Sequence, residues 1–254
     1  MNIGRSANPA LNKKTFANAP SLAGEEVMTV QGTVNKIFLM LLLVLAGAIY
    51  TWKIVFGAVD LQTGSQQVTI WLAVGGIGGF IAALVTIFKK SFAPYSGPVY
   101  AVLEGLLLGG LSAMLEAQFP GVVVQAVALT FGTLFTLLFL YKSGLIKVTQ
   151  KFKIGIIAAT GGIFLVYLIS FILQLFGVHV GFMYNNSAIS IGFSIIVVII
   201  AALNLVLDFD FIEQGAAAGA PKYMEWYAAF GLMVTLIWLY IEILRLLSKI
   251  ASRR

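Results

Sequence analysis

The chain of 254 residues is 60% hydrophobic and 10% charged, whereas a soluble protein carries about 25% charged residues, so membrane spans are indicated and an ordinary soluble domain is excluded. Because the chain has no cysteine, disulfides, thiolate zinc sites and cysteine nucleophiles are excluded as well. The net charge of +6 comes from Lys and Arg in the loops and tails between apolar runs, which argues against a nucleic-acid-binding face.

The first residues of the chain differ in composition from all that follows. Residues 1–33 contain Asn, Pro, Ser, Lys and Gly and no apolar run that would form a cleavable signal peptide. We predict a mobile cytoplasmic tail over residues 1–33 and a transmembrane domain over residues 34–254. Seven apolar segments of about 20 residues follow the tail. The predicted spans are Ile37–Gly57, Val68–Phe88, Val99–Phe119, Val122–Tyr141, Ile154–Phe176, Ile189–Leu207 and Trp226–Leu247.

The second span contains a glycine-rich stretch, Gly75-Gly76-Ile77-Gly78-Gly79. Glycine within a span usually permits close helix packing. A phosphate-binding loop is disfavoured, because no Lys-Ser/Thr pair follows the glycines and no strand precedes them. Between the second and third spans, the segment from Pro94 to Pro98 is predicted to form a turn.

Glu104 lies about 8 Å inside the third span at 1.5 Å per residue. An acid at such a depth normally faces a cavity or a partner rather than lipid. Two interpretations therefore remain open for Glu104, a pore-lining role and a structural hydrogen bond.

The distribution of Lys and Arg predicts the orientation of the spans. Basic residues are concentrated in the tail and in the second-to-third and fourth-to-fifth loops, and none lies in the polar stretches of the opposite loops. The positive-inside rule therefore places the N-terminus in the cytoplasm. Seven spans then place the C-terminus outside, against the charge of Arg245 and Lys249. A seventh segment that re-enters and returns is the alternative, but the length of the segment favours spanning.

An acidic hinge is predicted between the sixth and seventh spans, at Asp208-Phe209-Asp210-Phe211-Ile212-Glu213. Carboxylates at the edge of a span usually pair with a cation, bind an ion or carry a proton. Lys89 and Lys90 end the second span at the same predicted membrane level. This arrangement suggests a proton-sensitive latch between Asp208 and a lysine; the alternative is that the acids are merely solvated.

The two acids of the seventh segment are predicted to lie at opposite membrane faces. Glu225 and Glu242 are 17 residues apart, which is about 25 Å along a helix. Only Glu225 can therefore share the membrane level of Asp208. Glu242 precedes Arg245 by three residues, a spacing that suits a structural ion pair.

Catalytic and metal-binding signatures are missing from the sequence. There is no His-Glu-x-x-His, Gly-x-Ser-x-Gly or intramembrane aspartyl motif, and the single His179 has no partner cluster. We predict that the protein is not an enzyme and has no cofactor. Calcium could take oxygen ligands from Asp208 and Asp210, although no 12-residue calcium loop is present.

At the sixth and seventh segments the chain resembles the Bax inhibitor family of membrane proteins, in a bacterial branch. The resemblance is carried by Leu-Asp-Phe-Asp-Phe-Ile-Glu at residues 207–213 and by the closing Ile-Leu-Arg-Leu-Leu. It implies an all-α, seven-helix transmembrane bundle with the last helix central. It also implies a pH-sensitive calcium leak controlled by two aspartates and a basic residue. Asp208 matches the first aspartate, and Lys89 or Lys90 the basic residue; alignment places Thr235 or Glu242 at the second aspartate, with Glu225 a third candidate.

The function expected from the resemblance is a pH-sensitive calcium or cation leak channel in a bacterial inner membrane. Protonation of the carboxylates around Asp208 would open it, and the ligands would be calcium or protons within a lipid bilayer. The alternative is a non-conducting regulator that binds another membrane protein, such as a membrane protease.

Overall fold

The computed structural model describes residues 26–177, 185 and 187–253. In this part of the chain, seven helices are long and apolar enough to cross a membrane. The only extended pairing among these residues is an isolated bridge between Val27 and Pro221. The predicted all-α, seven-span fold is therefore confirmed. Most of the predicted tail, as well as His179, lies outside the described residues.

The helices are numbered here in chain order, and each corresponds to one predicted span. The seventh has the largest buried share, 61% of the residues in its most apolar stretch. A short 3-10 helix over Lys90–Phe92 precedes the third. The bounds are α1 Val30–Phe56, α2 Leu61–Phe88, α3 Ala93–Gln118, α4 Val122–Lys142, α5 Gln150–Leu175, α6 Ala188–Ala217 and α7 Met224–Ala251.

Six of the seven helices begin earlier than the predicted spans, and α1 and α3 show why. Helix α1 begins at Val30 because the Thr29 side chain caps it by accepting a hydrogen bond from the Gly32 amide. The turn predicted at Pro94–Pro98 is wrong, since α3 already begins at Ala93. Pro94 lies in the first turn, where the missing amide proton has no helical acceptor to lose. Pro98 lies inside the helix.

The predicted acidic hinge is also wrong, because α6 continues as one helix to Ala217. Phe209, Phe211 and Ile212 are buried, so packing on several faces holds this part of the chain helical. No proline interrupts it. Asp208 and Asp210 therefore lie within a continuous helix and have fixed directions.

The chain divides into two compact units, each built from separate segments. In the unit formed by residues 26–123 and 211–234, α3 packs against both α1 and α2. Glycines allow this close approach. A Cβ atom on Gly47 would lie 2.6 Å from the Val102 carbonyl oxygen, and one on Gly75 would lie 2.6 Å from that of Leu103. The close packing expected at the glycine-rich second span is thus observed.

The other unit contains residues 124–210 and 235–253, and polar contacts connect its helices. Asn204 of α6 donates to Thr160 of α5 over 2.9 Å. Lys249 of α7 donates to Ser194 of α6 over 2.9 Å. Hydrogen bonds of this kind add to van der Waals packing where lipid weakens the hydrophobic drive between helices.

The glycine contacts give a first test. Gly47→Ala should lower the free energy of unfolding by about 1–3 kcal/mol, the usual cost of overpacking, because its Cβ would meet backbone that cannot rotate away. Gly161→Ala in α5 is the matched control, since its Cβ would meet nothing within 4 Å. Thermal unfolding in detergent should show a lower Tm for Gly47→Ala alone. Equal Tm values would contradict tight packing of α1 on α3.

Candidate functional site

Asp208 is the most unusual ionisable residue of the described chain. It lies on α6 in a run of buried residues, and its own side chain is 1% exposed. Neither carboxylate oxygen has a hydrogen-bond partner among the described residues. Thr235 of α7 is close enough to interact with the carboxyl through its hydroxyl, although the geometry is not that of a hydrogen bond. An ionised carboxylate in this position is costly, so a proton or a bound cation is favoured there.

One helical turn before Asp208, Asn204 fixes the position of α6. Its amide donates to the Thr160 hydroxyl over 2.9 Å and to the Ile200 carbonyl over 2.8 Å. Residues four apart lie on the same helix face, so the contact between Asn204 and Thr160 also orients the face that carries Asp208.

Asp210 faces a different neighbour. Two residues along a helix correspond to a rotation of about 200°, so Asp208 and Asp210 cannot share one direction. Asp210 accepts a hydrogen bond from the Lys153 ammonium group of α5 and forms an ion pair with it. The Lys153 side chain is 6% exposed and that of Asp210 is 17% exposed. Among the described residues, one of the two acids thus has an ion-pair partner, and the other has no hydrogen-bond partner.

Lys153 was missed by the sequence analysis, which treated it as one of several lysines in the fourth-to-fifth loop. Its position could have distinguished it. Lys153 directly precedes the apolar run of the fifth span, and the structure places it in the first turn of α5. Its neighbour Lys151 is exposed, whereas Lys153 is buried.

Lys89 and Lys90 contact aromatic rings within their own unit. The Lys89 ammonium group lies 3.9 Å from the ring centroid of Phe92, and that of Lys90 lies 5.7 Å from the centroid of Tyr227. Such contacts stabilise a cation without a carboxylate. The role assigned to these lysines as partners of Asp208 stays a prediction.

Glu225 has several partners of its own at the start of α7. It is fully buried and accepts hydrogen bonds from the Thr29 amide and hydroxyl, at 3.0 and 2.9 Å. Lys36 lies 3.0 Å and Lys222 3.2 Å from its oxygens; the Lys36 contact is ionic, without the alignment of a hydrogen bond. These contacts connect the start of α1 to the start of α7, and the gating role considered for Glu225 stays a prediction.

The Lys222 side chain in the loop before α7 remains charged under ordinary conditions. Its hydrogen bond to Glu225 raises the pKa of Lys222 above the usual value, with a smaller effect from Glu26. A raised lysine pKa gives a contribution to stability that is present at low and neutral pH and is lost as the pH rises through that pKa. The lysine of this contact therefore stays charged over the neutral and acidic range.

Glu242 forms the ion pair predicted with Arg245, at 3.1 Å. It also accepts a hydrogen bond from the Tyr167 hydroxyl over 2.9 Å, and Arg245 donates to the same hydroxyl. Glu242 is 2% exposed, so this triad satisfies a buried acid and connects α5 to α7. The prediction of a structural pair is confirmed.

Glu104 of α3 is half-buried and lies against α2. A Cβ atom added to Gly79 would lie 2.8 Å from the Glu104 Oε1 atom, so the missing side chain of Gly79 makes room for the carboxylate. Tyr100, one turn earlier on α3, is buried. The pore-lining role of Glu104 stays a prediction.

A protein-only calcium site is not evident in the described residues, where no group of three or more His, Cys, Asp or Glu is placed to hold a metal. Asp208 and Asp210 face different neighbours. Calcium takes six to eight oxygen ligands, so a calcium ion at Asp208 would need backbone, hydroxyl or water oxygens to complete its shell.

Comparison with known proteins identifies one family. The family model described as "Bax inhibitor 1 like" matches residues 8–252, nearly the whole chain. No curated protein and no solved structure matches the chain.

The contacts of Glu225 provide a second test. Glu225→Gln should lower the free energy of unfolding by about 1–3 kcal/mol, because it leaves Lys36 and Lys222 without their buried counter-charge. Glu26→Gln is the matched control, since Glu26 also pairs with Lys222 but is 82% exposed and should cost less than about 1 kcal/mol. Chemical or thermal unfolding would compare the two variants. Equal losses would contradict the structural role of Glu225.

Proposed function

Because the chain belongs to the Bax inhibitor 1 like family, we propose that it is a pH-sensitive cation leak of the membrane, with calcium as the expected ion. The single observation that supports this proposal most is the buried Asp208 carboxyl, which has no hydrogen-bond partner among the described residues. A site of this kind exchanges a proton or a cation more readily than one satisfied by fixed protein groups.

The proposed gating step is the change of charge on Asp208. When ionised, the carboxylate requires a positive partner, either a bound cation or a lysine, for which Lys89 and Lys90 are the predicted candidates. This partner keeps the path closed. Protonation makes the carboxyl neutral, removes the attraction and releases the partner, because a neutral acid in a dry site needs no counter-charge. The leak should therefore increase as the pH falls.

Asp210 and Thr235 support the site in different ways. Asp210 is already neutralised by Lys153, so it does not compete with Asp208 for a partner. Thr235 supplies an uncharged hydroxyl oxygen near Asp208, which can contribute to a cation's shell but adds no charge. The site then has one negative charge to be titrated or compensated, and one proton is enough to discharge it.

The proposed location follows from the spans and from the charge of the loops. Seven apolar helices indicate an integral membrane protein. The concentration of Lys and Arg in the tail and alternate loops favours a cytoplasmic N-terminus in a bacterial inner membrane.

Calcium flux into proteoliposomes, measured with an enclosed calcium dye between pH 5 and pH 8, tests the proposal. The natural chain should leak more at the acidic end. Asp208→Asn, which cannot ionise, should leak at a rate that changes by less than about twofold over this range. Asp60→Asn is the control: Asp60 is an exposed acid that caps α2, asparagine caps equally well, and the pH response should be unchanged.

Two outcomes would reject the proposal. If Asp208→Asn follows pH as the natural chain does, Asp208 is not the sensor. If the natural chain shows no flux of calcium, sodium or potassium at any pH and instead purifies with a stoichiometric membrane protein, the protein is a non-conducting regulator.

A further inference from the structure

The ion pair between Lys153 and Asp210 does not belong to the proposed sensor, and it joins α5 to α6 close to Asp208. This ion pair joins a lysine in the first turn of α5 to a carboxylate of α6. Both side chains are largely buried. We infer that this pair is the contact that keeps α5 and α6 together in the closed state, so that Lys153 is a gating residue through its position. The inference rests on the proposed leak and assigns its regulation.

Helix α5 buries few of its apolar residues along the rest of its length. In the most apolar stretch of α5, 17% of the residues are buried. This share equals that of α1 and is the smallest among the seven helices. Gly155, Gly161 and Gly162 lie on α5, and a Cβ atom on any of them would meet nothing within 4 Å. Little steric interlocking therefore opposes a small displacement of α5, and polar contacts must contribute much of what holds it in place.

Two polar contacts between α5 and α6 lie two turns apart along α5. Thr160 receives a hydrogen bond from Asn204, and Lys153, two turns earlier on α5, pairs with Asp210. The first contact joins two neutral groups, so its net contribution to stability is modest. The second is an ion pair of low exposure, and removing one partner of such a pair is costly. Lys153 therefore determines whether the first turns of α5 stay against α6.

The pair also controls the direction of Asp208. Asp208 and Asp210 are separated by one residue on a rigid helix, so a rotation of α6 that moves one carboxylate moves the other. With Asp210 held by Lys153, the Asp208 side chain stays buried beside Thr235. When the pair is broken, α6 can rotate or shift at this level, and Asp208 gains access to water. Buried ion pairs suit this use, because they stabilise a protein weakly but specify an arrangement well.

Neutral substitution of either partner gives the first part of the experiment. In the proteoliposome assay at pH 7.5, Lys153→Met and Asp210→Asn should each raise the leak by about tenfold. Lys151→Met is the matched control, since Lys151 is exposed on the same turn of the same helix, and it should leak as the natural chain does. Lys153→Arg keeps the charge and should restore a low leak, which a merely space-filling role for the side chain would not predict.

Reversible cross-linking tests the same contact by holding the two positions together instead of separating them. The natural chain has no cysteine, so Lys153→Cys combined with Asp210→Cys provides the only two thiols. A short bifunctional thiol reagent that can be cleaved by reduction should close the leak even at pH 5. Reduction should open it again. In the matched variant that combines Lys151→Cys with Asp210→Cys, the same treatment should not close the leak, because position 151 is exposed.

The outcomes separate the two proposals. If the natural chain conducts and responds to acid but Lys153→Met leaks no more than Lys151→Met, the inference is wrong and the proposed function stands. If cross-linking positions 153 and 210 leaves the acidic leak unchanged, the inference is also wrong. If the natural chain conducts no cation at any pH, both proposals fail. Gel filtration of each variant identifies misfolding, and in that case the Lys153→Arg and cross-linking results decide.

Discussion

The burial of one unpaired carboxyl is the constraint on which the rest of the interpretation depends. Asp208 is surrounded by protein on a continuous helix, and its oxygens have no hydrogen-bond partner among the described residues. The free energy of a charge in such a place is high unless a proton or a cation accompanies it. A residue that must change its partner when it changes its charge is suited to sensing protons or cations.

The other buried acids show by contrast how the chain satisfies a carboxylate when no switching is required. Glu225 has two lysines and two donors from Thr29. Glu242 has Arg245 and the Tyr167 hydroxyl. Each of these clusters connects the seventh helix to another helix of its own unit, so the acids serve mainly as structural connections. Asp210 differs from both groups. It has a fixed partner in Lys153, as Glu225 and Glu242 have theirs, but it lies two residues from Asp208, whose oxygens have no hydrogen-bond partner among the described residues.

Packing and electrostatics are distributed differently in the two units. Where α1, α2 and α3 meet, glycines bring backbones into direct contact, and displacement there would require many contacts to break. The glycines of α5 have open space around them. An element held by a few polar contacts can move when one of them is lost, whereas an element packed through its backbone cannot. This difference is the physical reason to expect regulation at α5.

The sequence by itself determined the class of protein and the number of spans, because about 20 apolar residues are needed to cross a bilayer and this signal is local. It also predicted the pair of Glu242 with Arg245, since a spacing of three residues on one helix is fixed by helix geometry. Asp208 could be selected because an acid near a span is costly wherever it lies.

Only the tertiary structure decided which partner a charge finds on another helix. Lys153 and Asp210 are 57 residues apart, and local patterns carry no information on contacts at that distance. The supposed hinge at residues 208–213 is helical because neighbouring elements bury its apolar side chains, a contribution that the segment alone does not reveal. Whether a charge is satisfied depends on the atoms that packing brings to it, and packing is a property of the whole fold.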